Sequence, residues 1–170
     1  MIARPAMTQP TVRFITLGVY GSDEAAFFGA LVSHNVDTFC DIRLRRGMRG
    51  SLYSFANSTA LQKKLAELGI RYYHDRTVAP TQTTRDYQAT ADKQAGIARR
   101  SRTVLGEAFV TAYERQLNAF DATQFIKQFN TDARVICLFC VEKQPEACHR
   151  SLLAGHLQAA GFVVTHVVPA

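Results

Sequence analysis

The chain has 170 residues, of which 47% are hydrophobic and 20% charged, and its 20 Lys+Arg against 14 Asp+Glu give a net charge of +6. These values are typical of a soluble globular domain and exclude an intrinsically disordered chain, which would be less hydrophobic. The longest apolar runs fall far short of the roughly 20 residues that span a bilayer, so we expect no membrane contact and predict a cytoplasmic protein.

Two further features of the sequence bound the domain. Residues 1–10 contain two prolines and no apolar core, so we predict a disordered N-terminal tail, followed by a single α/β domain at residues 11–170. In a reducing compartment the cysteines are expected to be free thiols and not disulfides. They are Cys40, Cys137, Cys140 and Cys148.

The first half of the chain alternates between short β-rich runs and helical stretches. We predict strands at 12–17, 38–42 and 70–74, and helices at 23–34 and 58–68 with Ser22 and Ser58 as their N-caps. Asn35 and Gly69 are typical helix ends. A strand, helix, strand order of this kind favours a parallel sheet.

The second half begins with a polar region and then returns to the same alternation. We predict a loop at 77–84, helices at 87–100, around 109–117 and at 125–129, a strand at 134–139, a helix at 145–160 and a strand at 162–168. The predicted fold is therefore a Rossmann-like α/β domain with three layers and a mainly parallel sheet of about five strands. Ligands bind such sheets at the carboxyl ends of the strands.

The densest group of reactive side chains follows the strand at 134–139. It runs from Cys140 through Glu142 and Lys143 to Cys148-His149-Arg150. With Pro145 as the first helical residue, the last three would lie about one turn into a helix, where its dipole favours anions and lowers the pKa of a thiol. Helical periodicity turns Cys148 and His149 toward the sheet and Arg150 toward the flank.

Several interpretations of this segment are open. Cys148 and His149 can be reactive, or they can be a packed core thiol and a hydrogen-bonded core histidine. A phosphatase-like loop, which needs an arginine six residues after its cysteine, is excluded because Lys143, Glu146 and Ala154 stand at those positions. A zinc site from Cys140, Cys148 and His149, with or without His166, is an alternative that lacks the paired spacing of zinc knuckles, so we predict no metal and no cofactor.

An arginine-rich loop follows the second predicted strand. Asp41 and Arg43 leave that strand, and Arg45 and Arg46 follow in a loop whose guanidinium groups could hold phosphate or carboxylate, or could simply be solvated. Tyr53 lies close enough in sequence to offer a base-stacking surface. A second basic group at 99–102 is predicted to be an exposed helix end.

These residues together resemble the family called domain of unknown function 488. The resemblance runs from Val12 to Val168 and is carried by Cys40-Asp41-Ile42-Arg43 and by the motif that extends from Cys140 to Arg150. It implies a compact α/β domain, found in bacteria and archaea, without an established activity. It also implies a shared site at Asp41, Arg43, Cys140, Glu142, Lys143, Cys148, His149 and Arg150.

Two functional hypotheses follow. The first is an enzyme acting on a phosphorylated, nucleotide or nucleic-acid substrate, with Glu142 or His149 as general acid or base and Cys148 as nucleophile. The second is a non-catalytic nucleic-acid-binding module that uses the arginine-rich loop. In the first hypothesis the anion is bound by Arg43, Lys143 and Arg150, with Asp41, Cys140, Arg45 and Arg46 beside it.

Overall fold

The computed structural model describes residues 11–169, and the tail predicted at residues 1–10 lies outside the described residues. The strands are β1 (Arg13–Leu17), β2 (Thr38–Asp41), β3 (Arg71–His74), β4 (Val135–Phe139) and β5 (Val163–Val167). The helices are α1 (Glu24–Ser33), α2 (Ser58–Glu67), α3 (Gln82–Ala95), α4 (Glu107–Leu117), α5 (Ala122–Lys127) and α6 (His149–Ala159). All strands are parallel and lie in the order β3-β2-β4-β1-β5, which confirms the predicted α/β fold.

Helices cover both faces of the sheet. Successive strand residues point to opposite faces, so each strand contacts helices on both sides. Leu17 of β1 lies beside Phe139 of β4, whose ring contacts Phe27 of α1. Phe14, three residues before Leu17, points the other way and contacts Phe125 of α5. The sheet is thus the middle of three layers, and its strand residues form the buried core.

The predicted helix boundaries need correction at α1, α2 and α3. Asn57, not Ser58, is the N-cap of α2, and Ser58 is the first residue of that helix. Asp23, not Ser22, caps α1 by accepting a hydrogen bond from the Ala26 backbone, because the Ser22 hydroxyl donates instead to the Val19 carbonyl. The polar helix predicted at 87–100 begins earlier, at Gln82, and ends at Ala95. It ends there because Gly96 takes a left-handed conformation with φ of 66°, as helix C-caps commonly do.

The strand order brings the predicted strand ends together at one edge. Because every strand is parallel, the residues after β1, β2, β3 and β4 all emerge on the same side of the domain. Backbone hydrogen bonds lock two of these ends together, with Val19 and Tyr20 both donating to the Val141 carbonyl at 3.1 and 2.9 Å. The reactive segment is therefore held in place by the sheet itself.

No helix within residues 11–169 is both long and apolar enough to cross a membrane.

Candidate functional site

A buried ion pair closes the end of β2. Asp41 is fully buried, and Arg43 binds it through Nε at 2.8 Å and Nη2 at 2.7 Å, while Tyr72 donates its hydroxyl to the same carboxylate. The third guanidinium nitrogen of Arg43 donates to the Ala56 carbonyl, and the group lies 4.7 Å from the centre of the Phe139 ring. These contacts occupy Asp41 and Arg43 within the protein and fix the loop that follows β2.

A second buried arginine fixes the loop after β4. Arg150 is fully buried and donates to the Glu142 carbonyl at 2.6 Å and the Lys143 carbonyl at 3.0 Å. The predicted flank position of Arg150 is therefore wrong: its side chain turns inward to carbonyls that no strand partner satisfies. Gly18 makes this approach possible, because a Cβ there would lie 1.9 Å from the Glu142 carbonyl oxygen.

The motif enters its helix later than predicted. Pro145–Ala147 form a short 3₁₀ turn, Cys148 is extended with φ of −138° and ψ of 144°, and α6 begins only at His149. From its position in the first turn of α6, Arg150 reaches back to the Glu142 and Lys143 carbonyls. The Cys148 thiol stands at the N-cap of α6 and faces the strand end.

Two thiols and an imidazole meet at this point. The Nδ1 atom of His149 lies 3.8 Å from the sulfur of Cys140 and 3.8 Å from the sulfur of Cys148, and all three donor atoms lie within 4.8 Å of one another. We call these three residues the Cys–His cluster. All three are buried, and the Nε2 atom of His149 lies 3.2 Å from the Ile42 carbonyl oxygen.

The two thiols of the Cys–His cluster differ in acidity. Burial by itself raises the pKa of Cys148, but the hydrogen bond with Cys140, the positive charge of Arg150 and the His149 imidazole outweigh burial and lower this pKa well below its usual value. The same hydrogen bond, together with burial, raises the pKa of Cys140. The pKa values of the two thiols are thus shifted in opposite directions.

Glu142 connects the Cys–His cluster to a basic segment that precedes α4. One of its carboxylate oxygens accepts hydrogen bonds of 2.9 Å from Arg99 and from Arg102, and the other lies 3.6 Å from the Cys140 sulfur. Burial of Arg99 disfavours its charged form, but the negative charge of Glu142 outweighs this effect and raises the pKa of Arg99. Arg102 also binds Asp92 at 2.7 Å, so the segment is anchored to α3 as well.

A pocket of about 270 Å³ opens in front of the Cys–His cluster. Its floor is formed by that cluster together with Arg43 and Glu142, and α3 and the segment before α4 form its walls. Arg85 of α3 is half-buried in this wall and makes no side-chain hydrogen bond or ion pair with any residue of the 11–169 range. Burial and the nearby charges of Arg99 and Arg45 lower the pKa of Arg85, against the opposing effects of Cys140 and Glu142.

Comparison with known proteins places this site in a family. The family model described as Domain of unknown function DUF488 matches residues 24–157, which is more than half of the chain. The chain belongs to this family. The match includes β2, the whole of the Cys–His cluster and most of α6, and it confirms the family resemblance over residues 24–157. Among curated proteins, none matches the chain.

The structure of this DUF488 member brings most of the predicted site residues together. Asp41, Arg43, Cys140, Glu142, Cys148, His149 and Arg150 all lie at the carboxyl edge of β2 and β4 and are buried. Asp41, Arg43 and Arg150 bind other protein groups there, and Arg43 alone of these three lines the pocket.

Other predicted residues stand outside the pocket. Lys143 and Arg45 are exposed, and Arg46 is partly exposed with its guanidinium 3.5 Å from the Tyr72 hydroxyl. Tyr53 is only 6% exposed, and its hydroxyl accepts a hydrogen bond from the Gly21 backbone, so the base-stacking surface expected there is not available. His166 lies on β5, where its Nδ1 atom is 2.7 Å from the hydroxyl of Thr16 on β1, and it takes no part in the Cys–His cluster.

Sequence reasoning missed the arginines that line the pocket. Arg102 was expected at an exposed helix end, but its side chain is only 9% exposed and bridges Asp92 and Glu142. Arg85 belongs to no recognisable sequence motif, and the sequence of α3 is polar along most of its length. The signal that could have indicated a partner such as Arg102 is the position of Glu142 three residues after the apolar strand β4 ends, since a buried carboxylate requires a cationic partner.

Proposed function

We propose that this protein is an enzyme that acts on a phosphorylated substrate, such as a nucleotide or the end of a nucleic acid, in the pocket before the Cys–His cluster. The observation that supports it most strongly is Arg85, a half-buried cation without a partner among residues 11–169, in the same pocket as two thiols and an imidazole. A cation in such a position is stabilised when an anion binds, because the anion offsets both its burial and its repulsion from Arg99.

The charge and size of the pocket favour a compact anion. Arg85 and the terminal nitrogens of Arg99 have no hydrogen-bond partner in the described chain, and a guanidinium group binds phosphate through two parallel hydrogen bonds. A volume of about 270 Å³ is near the lower end of ligand pockets, which suits one phosphoryl group and its neighbour but not a duplex. We therefore expect a nucleotide or a strand end.

The Cys–His cluster supports a catalytic role over simple binding. Reactive side chains buried at the end of a pocket, next to groups that bind an anion, are the usual arrangement of an active site. A module that only binds phosphate would have no use for Cys140, Cys148 and His149 there. We assign the chemistry to these residues, and we assign Glu142 to the positioning of Arg99 and Arg102.

Isothermal titration with inorganic pyrophosphate tests the anion site. We expect binding by the wild-type protein and at least a tenfold loss in Arg85→Ala, which corresponds to about 1.4 kcal/mol. Arg115→Ala is the matched control, because Arg115 is an exposed arginine of α4 outside the pocket. No binding by the wild type, or equal binding by Arg85→Ala, would contradict the proposal.

Incubation with a panel of nucleoside mono-, di- and triphosphates and short oligonucleotides, followed by chromatography of the products, tests the enzyme. We expect turnover that Cys148→Ser abolishes and that Cys137→Ala retains, because Cys137 is a core thiol of β4 away from the pocket. A DUF488 protein that binds pyrophosphate but converts none of these compounds, with or without added divalent metal ions, would be a binding protein and not this enzyme.

A non-catalytic nucleic-acid-binding module is the second candidate. The observation that favours it is the exposed positive charge near the pocket: Arg45 affects the pKa of Arg85, and Arg100 lies over the rings of Tyr20 and Tyr53 at 5.4 Å. Such a surface would bind phosphates without using the Cys–His cluster. Strong binding of single-stranded DNA that is unaffected by Arg85→Ala would favour this second candidate.

A further inference from the structure

The geometry of the Cys–His cluster matches that of a metal site. Bond lengths of about 2.3 Å for zinc to sulfur and about 2.1 Å for zinc to nitrogen put neighbouring donor atoms of a tetrahedral site roughly 3.6 to 3.8 Å apart. His149 Nδ1 lies 3.8 Å from each of the two sulfurs. One ion at the centre of the cluster would thus reach all three donor atoms with little movement of the side chains.

The hydrogen bond on the far side of the imidazole fixes the form of His149 that binds metals. The Ile42 carbonyl can only accept, so Nε2 carries the hydrogen and donates it across 3.2 Å. In a neutral imidazole this leaves the lone pair on Nδ1, which faces both thiols. Metal-binding histidines characteristically donate their second nitrogen to a carbonyl or a carboxylate in this way.

The backbone holds the three donors in place. The Cys140 amide donates to the Leu17 carbonyl of β1, and the Cys148 amide donates to the Pro145 carbonyl of the 3₁₀ turn. Ile42, which orients His149, donates in turn to the Phe139 carbonyl of β4. The donors therefore come from a strand end and a helix start that the sheet fixes relative to each other, and such rigidity favours a defined ion site over a loose pair of thiols.

We propose that Cys140, Cys148 and His149 bind one divalent transition-metal ion, with Zn²⁺ as the ion that this donor set favours. Two thiolates and an imidazole are soft and intermediate ligands, which select zinc over magnesium or calcium. All three ligands line the pocket, so the fourth coordination position faces the space where a substrate would enter. Three protein ligands with an open fourth position are typical of catalytic zinc sites, whereas structural sites are closed by four.

The role of such an ion in turnover depends on the proposed function. A metal with an open position can polarise a phosphoryl oxygen or lower the pKa of a bound water. Arg85 would hold the substrate's charge on the opposite wall. The metal site itself does not depend on that role, because its donors and Arg85 are different residues and are tested separately.

The first test uses the full-length chain purified without chelators. We expect about one zinc ion per chain by inductively coupled plasma mass spectrometry. After chelation and titration with Co²⁺, we expect a thiolate-to-cobalt charge-transfer band in the near ultraviolet together with the intense visible bands of a tetrahedral site. A wild-type protein that holds no stoichiometric zinc and gives no such cobalt spectrum under reducing conditions would overturn the proposal, and a Cys140–Cys148 disulfide in fresh protein would do the same.

Variants then assign the ligands. Cys140→Ser, Cys148→Ser and His149→Ala should each lower the affinity for Co²⁺ by at least about 100-fold. This is the largest loss expected when the removed group only hydrogen-bonds to a metal ligand, so a ligand itself should cost at least as much. Cys137→Ala is the matched control, because it removes another buried thiol outside the cluster and should leave the cobalt spectrum unchanged. Unchanged affinity in two of the three ligand variants would contradict the assignment.

A variant that fails to fold does not leave the matter open, because the wild-type cobalt spectrum decides it. The outcome is also separable from that of the anion site, since pyrophosphate binding by the chelator-treated protein and its loss in Arg85→Ala do not need the metal. A protein that binds the metal but not pyrophosphate would support the metal site and refute the proposed substrate class. A protein that binds pyrophosphate but not the metal would refute the metal site and support the proposed substrate class.

Discussion

Two pairs of arginines lie at the same edge of the sheet and have opposite surroundings. Arg43 and Arg150 are 4% and 0% exposed, and they bind Asp41 and the backbone carbonyls of the strand-end loops. Arg85 and Arg99 line the pocket, and Arg99 retains 48% of its side-chain exposure. The arginines nearest the motif build the site, whereas Arg85 and Arg99 keep guanidinium nitrogens without protein partners in residues 11–169, and these are the groups that we propose bind an anion.

The two pairs differ because the carbonyl groups in the loops after the strands need hydrogen-bond donors. Where parallel strands stop, their following loops present carbonyl groups that no neighbouring strand satisfies, and a buried arginine supplies several donors at once. Arg150 serves the loop after β4 and Arg43 serves the segment at Ala56. Among the arginines of α3 and of the segment that follows it, Arg102 alone donates a side-chain hydrogen bond to a backbone carbonyl, that of Ala147, within residues 11–169.

The largest predicted effect comes from breaking the buried pair at β2. Arg43→Ala leaves the fully buried Asp41 carboxylate without its cation, and we expect the free energy of unfolding to fall by about 3 to 5 kcal/mol. Urea denaturation followed by circular dichroism measures this. A loss below about 1 kcal/mol, similar to that of the surface variant Arg115→Ala, would mean that Arg43 is not a structural residue.

Arg150→Ala should have the next largest effect. It removes one buried and one part-buried hydrogen bond from a charged donor to carbonyls, each worth about 1.5 to 3 kcal/mol, so we expect a loss at the lower end of their sum, about 3 kcal/mol. The loop from Glu142 to Lys143 should also exchange its amide hydrogens faster than in the wild type. Normal stability of this variant, combined with lost pyrophosphate binding, would reverse the comparison and make Arg150 a ligand-binding residue.

Arg99→Ala should show the opposite behaviour. Because Arg102 still binds Glu142, we expect unfolding to change by less than about 1 kcal/mol. Pyrophosphate affinity should fall about tenfold, or 1.4 kcal/mol, because the guanidinium that shares the pocket with Arg85 is lost. Calorimetry and denaturation of the same preparation measure both quantities. A stability loss as large as that of Arg43→Ala would place Arg99 with the structural arginines.

The smallest predicted effect belongs to the exposed loop after β2. Arg45→Ala should weaken pyrophosphate binding by no more than about threefold, because an exposed charge acts at a distance and is screened by salt. The matched variant is Arg49→Ala, which is exposed in the same loop. A larger effect on labelled single-stranded DNA than on pyrophosphate, with a reduced salt dependence, would favour the nucleic-acid-binding candidate.

The sequence predicted the fold well because the strands carry their own signal. The strands β1, β2 and β4 are buried on both faces, and β1 and β4 are short apolar stretches of the kind that buried parallel strands form. Strand parallelism then required Asp41, Cys140 and the later motif to share one edge, and the structure agrees. Helix ends were less predictable, as at Cys148, whose extended backbone places the start of α6 at His149 and not at Pro145.

The pocket itself could not be predicted from the sequence. Arg85 and Arg102 are far from the motif along the chain, and only the packing of α3 brings them to Glu142 and the Cys–His cluster. The spacing of Cys140, Cys148 and His149 also differs from that of zinc knuckles, so the approach of their donor atoms depends on the extended backbone of Cys148. Both facts are properties of tertiary structure and not of local pattern.

Nuclear magnetic resonance of the arginine Nε–H groups distinguishes the two pairs of arginines in one experiment. In uniformly ¹⁵N-labelled protein titrated with inorganic pyrophosphate, we expect the Arg85 and Arg99 signals to shift in a saturable manner while those of Arg43 and Arg150 stay unchanged. Assignment follows from the Arg85→Lys and Arg99→Lys variants, each of which lacks one signal. A titration that shifts Arg43 or Arg150 and leaves Arg85 unaffected would contradict the division between structural and ligand-binding arginines.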